Sequence, residues 1–350
     1  MEISNQKSGD NSTNLQAGRD IVVSSGNVAL YSIEEVAKQL MGSVFGELPE
    51  DTKKQIETNQ KSYFQALSEN LGKIIKQNED LKKVIDSPDF QFISKTASIS
   101  ASRSSSAELH KNLSSLMTQR INNDDEDLKR IVYDEAISTI GKLTTDQLKI
   151  ITLCYLGRYT TYGGIASWDT FKTYLNKHIK PFIEFKNTNA EFQHIEYAGC
   201  GSIGIGSWNL VDIYRQQYSF LFSNLIEKAK IEDLNLPEEV KSELLRLDTT
   251  EDKYFVRIKN KEELEKYLKN KNFEEAKMNQ FVSLYERNIK NSDEVKKKIE
   301  DEIKFGKKLL ELWEKSNIPH LSLTSVGITI AASYFEQTTG EKIDIGIWIN

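Results

Sequence analysis

The segment TTDQLKIITLCYL, Thr144–Leu156, gives the strongest indication of how this chain folds. Thr144 and Gln147 have the spacing of a capping box, in which each side chain accepts the backbone N–H of the other residue at a helix start. Leu148–Leu156 is then apolar on nearly every face, and a helix of this kind is buried. The stretch therefore predicts a central helix around which the other elements pack.

Amphipathic helices are predicted on both sides of this segment. Apolar residues recur at helical spacing in 32–44 and 50–86 before it, and in 209–230 and 292–315 after it. The serine-rich run 94–106 has two interpretations, a flexible linker or a helix whose small face packs closely on a neighbour. We favour the helix.

In the C-terminal part of the chain, strand patterns occur in short stretches. Residues 253–258, KYFVRI, alternate with period two, and so do the isoleucines between Ile343 and Ile349. Leu321–Ala331 has the pattern of a short strand, a helix cap at Thr324 and a helix, which resembles the last part of a winged-helix domain. A small structural α+β end domain is the prediction we prefer over a DNA-binding one, because the chain has no arginine after Arg287 to read bases.

The predicted fold class is mainly α, with a multi-helix domain, a β-prone N-terminal segment and a small α+β C-terminal domain that has winged-helix-like features. The predicted boundaries are 1–31 for the N-terminal segment, 32–232 for the helical domain and 233–350 for the charged C-terminal domain. Ordinary globular composition supports this division, with 38% hydrophobic and 28% charged residues in 350 positions.

The composition also limits the compartments in which the protein can be located and the partners that it can bind. The chain has no apolar run long enough for a membrane span and no secretion signal at its start, and its two cysteines fit a reducing compartment. We therefore expect a cytoplasmic protein without a membrane partner. The net charge of −6 gives no basic footprint for nucleic acid, so that partner is not expected either.

The glycine cluster is the one candidate cofactor site. Gly199, Gly201 and Gly204 match the G-x-G-x-x-G spacing of dinucleotide-binding loops, but the residues before them, HIEYA, do not form the apolar strand that this fingerprint requires. A loop that permits tight turns and close backbone packing is the alternative that we prefer.

The other reactive residue types do not form a motif. His110, His178, His194 and His320 lie far apart, and Cys154 and Cys200 do not form paired metal-ligand spacings. We predict no metal ligands, no catalytic residues and no cofactor from the sequence, and we lean against an enzyme.

The segment Gly9–Val23 differs in composition from the rest of the chain. Small apolar residues at odd positions alternate with asparagine and glutamine, and Gly18 interrupts the pattern where a bend is easy. Strands this short are marginal alone, whereas identical polar segments pair well between chains. Pairing between copies is preferred over docking on the same chain or disorder. The predicted oligomerisation residues are Asn14, Leu15, Gln16, Ala17, Gly18, Ile21 and Val23.

The same residues carry a resemblance. Ser8–Val23, SGDNSTNLQAGRDIVV, resembles a leader found on many bacterial proteins, including proteins of antiviral and abortive-infection systems. The body is similar to an uncharacterised bacterial family with that leader, through Pro88–Ile93, Asp134–Leu148, Glu196–Gly206 and Leu321–Ala331. Its LTSVG stretch is also similar to the C-terminal end of alpha-type abortive-infection proteins. The resemblance implies prokaryotic defence and supplies no catalytic residues.

We therefore expect a homo-oligomerising defence protein that senses infection or arrests the cell, with a phage or host protein as its candidate trigger. Two alternatives remain. A DNA-binding regulator would use the winged-helix-like C-terminal domain, and a nucleotide-binding enzyme would use the loop Gly199–Gly206.

Overall fold

The computed structural model describes residues 47–74, 84–85, 87–123, 127–248, 250–343 and 345–349. The predicted oligomerisation residues in Gly9–Val23 lie outside this part of the chain. Two compact units share the chain, and the division falls after His110. The sequence-based boundaries at 31/32 and 232/233 stay predictions. Among the residues just given, none of the helices combines the length and apolar character needed to cross a membrane.

The described residues are mainly helical with a few short strands, as the sequence predicts. The α-helices are α1 Glu50–Ile74, α2 Pro88–Ser102, α3 Ala107–Asn122, α4 Asp127–Ile140, α5 Thr145–Arg158, α6 Trp168–Tyr174, α7 Asn189–Tyr197, α8 Leu210–Gln217, α9 Lys228–Glu232, α10 Glu238–Leu244, α11 Lys261–Asn270, α12 Glu275–Arg287, α13 Ser292–Glu302, α14 Gly306–Lys315, α15 Ser325–Thr339 and α16 Gly346–Ile349. The strands are β1 Gly201–Ile203, β2 Ile226–Glu227, β3 Leu245–Asp248, β4 Lys253–Val256 and β5 Leu321–Leu323.

In the first unit, the serine-rich run is helical from Ser94 to Ser102, which confirms the interpretation we favoured for that part of the run. Ser94, Ser98 and Ser102 lie four apart on one buried face of α2. The hydroxyl of Ser102 donates to the carbonyl of Ser98 at 2.7 Å and accepts from the Gln60 amide at 3.0 Å. Because these side chains are small, and the hydroxyls of Ser98 and Ser102 are hydrogen-bonded, α1 packs closely on α2.

The centre of the second unit is the predicted buried helix, α5. Its capping box is complete: the Gln147 N–H donates to the Thr144 hydroxyl at 3.2 Å, and the Thr144 N–H donates to the Gln147 side chain at 3.0 Å. Most of its side chains from Gln147 onward are buried. Helix α15 packs along both α4 and α5, so these three helices form the core of the unit.

A two-stranded antiparallel sheet of β1 and β5 joins α7 to the start of α15. Gly201 pairs with Leu323, and Ile203 pairs with Leu321. Thr324 follows β5 and caps α15 by accepting the Gly327 N–H at 3.1 Å, as the sequence predicts. We call β1, β5, Cys200, Thr324 and Gly327 the β junction.

The charged segment after α8 forms its own small core. Strands β2, β4 and β3 make an antiparallel sheet in that order, and β4 contains the alternating residues of the sequence prediction. Helices α11 and α12 pack their apolar faces into the same cluster, where Leu264, Leu268, Phe281 and Tyr285 are fully buried.

Three predicted elements are wrong in detail. The helix expected over 209–230 ends at Gln217, and β2 lies in the second half of that range. The single helix expected over 292–315 is broken between α13 and α14, where Gly306 lies against the backbone carbonyl of Ile299 too closely for any side chain. The strand expected over 343–349 is instead the short helix α16. Ile345 is buried and Trp348 contacts Tyr155, so residues three apart share a face, which is helical rather than strand geometry.

Candidate functional site

The candidate site begins where α6 changes into a π-helical turn, Leu175–Ile179, which we call the π turn. The Lys180 N–H donates to the Leu175 carbonyl, five residues earlier. A short 3₁₀ turn, Lys180–Phe182, follows, and Pro181 within it lacks the N–H that a regular helix requires. π turns are rare in proteins, and those that occur are often found at functional sites. The π turn therefore makes this region a candidate site.

The π turn directs two basic side chains toward Glu341. Lys177 Nζ forms an ion pair and hydrogen bond with Oε1 of that carboxylate, and His178 Nε2 lies 3.0 Å from Oε2. The hydrogen bond from Lys177 lowers the pKa of Glu341, and His178 adds to this effect against the opposing effect of burial. The carboxylate is therefore held in one place and ionised.

His178 is buried, with only 2% of its surface exposed. Its contact with Glu341 is not aligned as a hydrogen bond, and its Nδ1 atom has no hydrogen-bond partner among the described residues. The 3.0 Å separation makes the contact an ion pair when the ring is protonated. A buried polar group without hydrogen bonds costs stability, so this position is not optimised for stability.

Aromatic rings surround the imidazole. The rings of Tyr162, Tyr174 and Phe335 have centroids 5.0, 5.4 and 5.6 Å from that of His178. Tyr162 and Tyr174 are themselves stacked, with centroids 5.1 Å apart and planes 18° apart. Tyr174 is buried and its pKa is raised by burial, whereas Tyr162 is 37% exposed.

A cavity of about 520 Å³ opens beside these rings. This volume lies in the range of small-molecule sites, which are mostly apolar with a few polar groups. We call it the aromatic pocket, and its lining includes Tyr159, Thr160, Tyr162, Tyr174, Phe335, Glu341 and Trp348. The pocket therefore combines ring faces with one fixed carboxylate.

A second cavity, of about 530 Å³, is lined by polar residues around Arg215 and Lys261. Arg215 Nε donates to the Lys290 carbonyl at 2.7 Å, and Lys261 pairs with Glu286 at 2.9 Å. Since both cations already have partners in the protein, the aromatic pocket is the stronger candidate site.

The glycine cluster of the sequence analysis lies in the β junction, not in the aromatic pocket. Gly199 ends helix α7 with a φ of +74°, and Gly201 lies in β1, where an added Cβ would be 2.9 Å from the Ser322 carbonyl oxygen. The Gly204 N–H donates to the His320 carbonyl at 2.9 Å. The element before the cluster is a helix, and the glycines permit turning and close packing here.

The cysteines also belong to the interior around the β junction. Cys154 Sγ lies 3.3 Å from the Leu321 carbonyl oxygen, and Cys200 is buried beside β1. Burial raises the pKa of each thiol to about 12. Thiols with such values are poor nucleophiles at neutral pH.

The remaining histidines have structural partners. His110 bonds Ser62 and two carbonyls within the first unit, His194 contacts the capping residue Gln147 at 3.1 Å, and His320 contacts the Gly206 carbonyl at 3.0 Å. Within the ranges that the structure describes, His, Cys, Asp and Glu side chains form no group of three that could hold a metal ion.

Sequence reasoning missed the set formed by Tyr162, Tyr174, His178 and Glu341. Pro181 signals an irregular helix end after the Lys177–His178 pair, and this signal could have drawn attention to the turn. Glu341 lies 164 positions from Lys177, so a single sequence contains nothing that joins them.

Comparison with known proteins assigns the chain to a family. No curated protein and no solved structure matches the chain. Residues 29–349 match the model of an uncharacterised family, and that match spans most of the sequence. The chain therefore belongs to this uncharacterised family.

Proposed function

We propose that this protein is a homo-oligomerising cytoplasmic protein of prokaryotic antiviral defence, acting as a sensor or effector of the abortive-infection type. The leader Gly9–Val23 mediates its assembly. The observation that carries the proposal is the leader itself, whose small apolar residues alternate with amides and whose sequence resembles the leader of defence proteins.

The position of the leader supports a separate role for it. The family match begins at residue 29, so Gly9–Val23 lies outside the matched stretch. The very short strands that the sequence predicts for the leader are too small to bury themselves, and stacking with identical segments would satisfy their backbone hydrogen bonds.

The test compares the full chain with a variant that lacks residues 1–25, by light scattering after size-exclusion chromatography. The mass of the full chain is expected to be a multiple of 40.0 kDa, and that of the shortened chain is expected to fall toward one copy. A finer variant, Leu15→Asp with Ile21→Asp, should have the same effect because it places charges on the apolar side of the strand.

The matched control is Ser4→Asp with Asn5→Asp, which adds the same charge upstream of the leader and should keep the assembly. Phage plating on bacteria that express each variant then tests the defence role. Protection should be lost with the leader variants and kept with the control. An oligomer that survives removal of residues 1–25 contradicts the assembly proposal, and full protection by a monomeric variant contradicts the link between assembly and defence.

A further inference from the structure

We propose that the aromatic pocket binds a guanine ring, as part of a nucleoside or nucleotide. This inference goes beyond the proposed function and does not rest on it. The site is distinct from the Gly199–Gly206 loop, and its features are a stacking surface, a second aromatic ring and a fixed carboxylate.

Tyr162 provides the stacking surface. One face of its ring is covered by Tyr174 at a centroid distance of 5.1 Å, and the ring also lines the cavity while remaining 37% exposed. A planar ring packed on the exposed part of the Tyr162 ring would extend the existing stack. Nucleobases bind proteins in this way because each base has a π face.

Tyr218 and Tyr174 hold the stacking surface in place. The Tyr162 backbone N–H donates to the Tyr218 hydroxyl at 2.8 Å, and this bond fixes the loop after α5. Tyr174 is only 4% exposed and packs against Phe171 and His178. Since little of the stack has to be ordered on binding, little affinity is lost to reorganisation.

Trp348 lines the same cavity from the C-terminal helix α16. Its ring packs edge-on against the buried Tyr155, with centroids 5.3 Å apart and planes at 70°. Tyr155 belongs to α5, so this second ring is anchored to the core of the unit. The pocket therefore has aromatic groups from separate elements, as a bound planar ring requires.

The Glu341 carboxylate determines which hydrogen-bonding edge of a bound base the pocket prefers. A carboxylate has about four lone-pair positions, and Lys177 contacts one oxygen of Glu341 while His178 contacts the other. Thr160 also lines the cavity, and its hydroxyl donates to the Leu156 carbonyl at 2.9 Å, so its oxygen is left as an acceptor. Guanine offers these acceptors two adjacent donors, N1–H and the 2-amino group. Lys342 lines the same cavity, and its ammonium group is a donor for the O6 atom of guanine.

Other ligand classes fit less well. Organic cations favour aromatic cages with an uncompensated negative charge, but the charge of Glu341 is already balanced by Lys177. Uracil offers one N–H donor at its edge, and hypoxanthine lacks the 2-amino group. Guanine is therefore the ring that uses both the stacking surface and the carboxylate.

The experiment measures binding of guanosine and GMP to the full chain by calorimetry, with inosine, adenosine, uridine and tetramethylammonium as comparison probes. Guanosine or GMP is expected to bind best, with inosine about tenfold weaker because one hydrogen bond to the carboxylate is missing. A guanine-containing oligonucleotide that binds while GMP does not would overturn the proposal of a small-molecule site.

Variants assign the binding to the pocket. Tyr162→Ala should lower guanosine affinity roughly tenfold or more through loss of stacking, and Tyr162→Phe should retain it. Glu341→Gln should remove the preference for guanosine over inosine, because an amide can also donate. Tyr197→Ala is the matched control, since Tyr197 is 85% exposed on α7 and does not line the pocket.

Three results would overturn the inference: no binding of any nucleoside at millimolar concentration, unchanged guanosine affinity in Tyr162→Ala, or stronger binding of tetramethylammonium than of guanosine. Loss of assembly in a leader variant affects none of these measurements, because the pocket is built from residues 156–348. The two proposals can therefore fail separately.

Discussion

The C-terminal end of α5 contacts two regions that are built differently, the β junction and the aromatic pocket. Arg158 and Cys154 both reach the Leu321 carbonyl in the β junction, whereas Leu156 lines the pocket. Tyr159 serves both: its hydroxyl accepts the Leu323 N–H at 2.9 Å, and its side chain lines the pocket.

The two regions differ in the free space between their side chains and in how fully their polar groups are hydrogen-bonded. In the β junction, Gly327 lies against the Cys200 carbonyl with no room for a methyl group. The Thr324 hydroxyl donates to the Gly199 carbonyl and accepts the Gly327 N–H. The pocket leaves about 520 Å³ and a histidine without an aligned hydrogen bond. The comparison indicates that stability is concentrated in the β junction and that the pocket is free to serve binding.

Gly327→Ala should have the largest effect on stability. In an exposed helix this change is favourable by about 1 kcal/mol, but here the new methyl group overlaps a backbone carbonyl that cannot turn away. We expect the free energy of unfolding to fall by about 3 kcal/mol or more, measured by urea denaturation.

Gly206→Ala is the matched control in the same loop region, because nothing lies within 4 Å of its added Cβ. Its effect should stay within about 0.5 kcal/mol. Equal losses in the two variants would mean that close packing at Gly327 does not stabilise the β junction.

The thiols should report whether the β junction opens. Burial raises the pKa of Cys154 and Cys200 from 9.0 to about 12, which lowers the thiolate fraction about a thousandfold. We expect almost no reaction of the native protein with a disulfide reagent at pH 8, and reaction of both cysteines after unfolding in guanidinium. Rapid labelling of Cys200 in the native protein would contradict a closed junction, and Gly327→Ala should accelerate that labelling.

Tyr162→Ala should cost little stability despite the loss of a large ring. Tyr162 is 37% exposed, so its removal leaves no closed cavity, and we expect a loss of about 1 kcal/mol. Tyr174→Ala, at a ring that is 4% exposed, should cost about 3 kcal/mol or more. Thermal denaturation of both variants gives the comparison, and a larger loss for Tyr162→Ala would mean that its ring supports the fold.

The β junction was more predictable from sequence than the pocket, because its signals are local. The short strand at 321–323 and the cap at Thr324 follow from residue types at fixed spacing, and the same holds for the capping box at Thr144. The break before Gly306 depends on its contact with Ile299, which no periodic pattern reveals. The strand expected at 343–349 was wrong because packing of Ile345 and Trp348 overrides the alternation.

The pocket depends on contacts between distant segments. The sequence identifies His178 only as one of four scattered histidines, and Glu341 as one of many acidic residues. The helical core brings the π turn beside the segment after α15, and this arrangement creates the ion pair. The grouping of these polar side chains depends on tertiary contacts, and local sequence patterns do not reveal such contacts.

The smallest expected effect concerns two carboxylates five residues apart. Lys177 lowers the pKa of Glu341, so its ionised form stabilises the folded state above the ordinary value of 4.5, and this contribution is lost as the pH falls through the lower folded value. Burial raises the pKa of Glu336, so ionisation of that residue opposes folding as the pH rises above 4.5. The two groups should therefore affect the pH dependence of stability with opposite signs.

Glu341→Gln and Glu336→Gln separate these effects, since an amide does not titrate. Relative to the unchanged protein, Glu341→Gln should be less stable at pH 6, and this deficit should shrink as the pH falls below 4.5. Glu336→Gln should gain relative stability as the pH rises above 4.5, because Gln119, which donates to Glu336 at 2.5 Å, can donate to an amide oxygen as well. Urea denaturation between pH 3 and pH 6 measures both differences. If the two variants change in the same direction across that range, Lys177 and His178 do not hold Glu341 as an ionised group, and the carboxylate is not the fixed acceptor that the pocket requires.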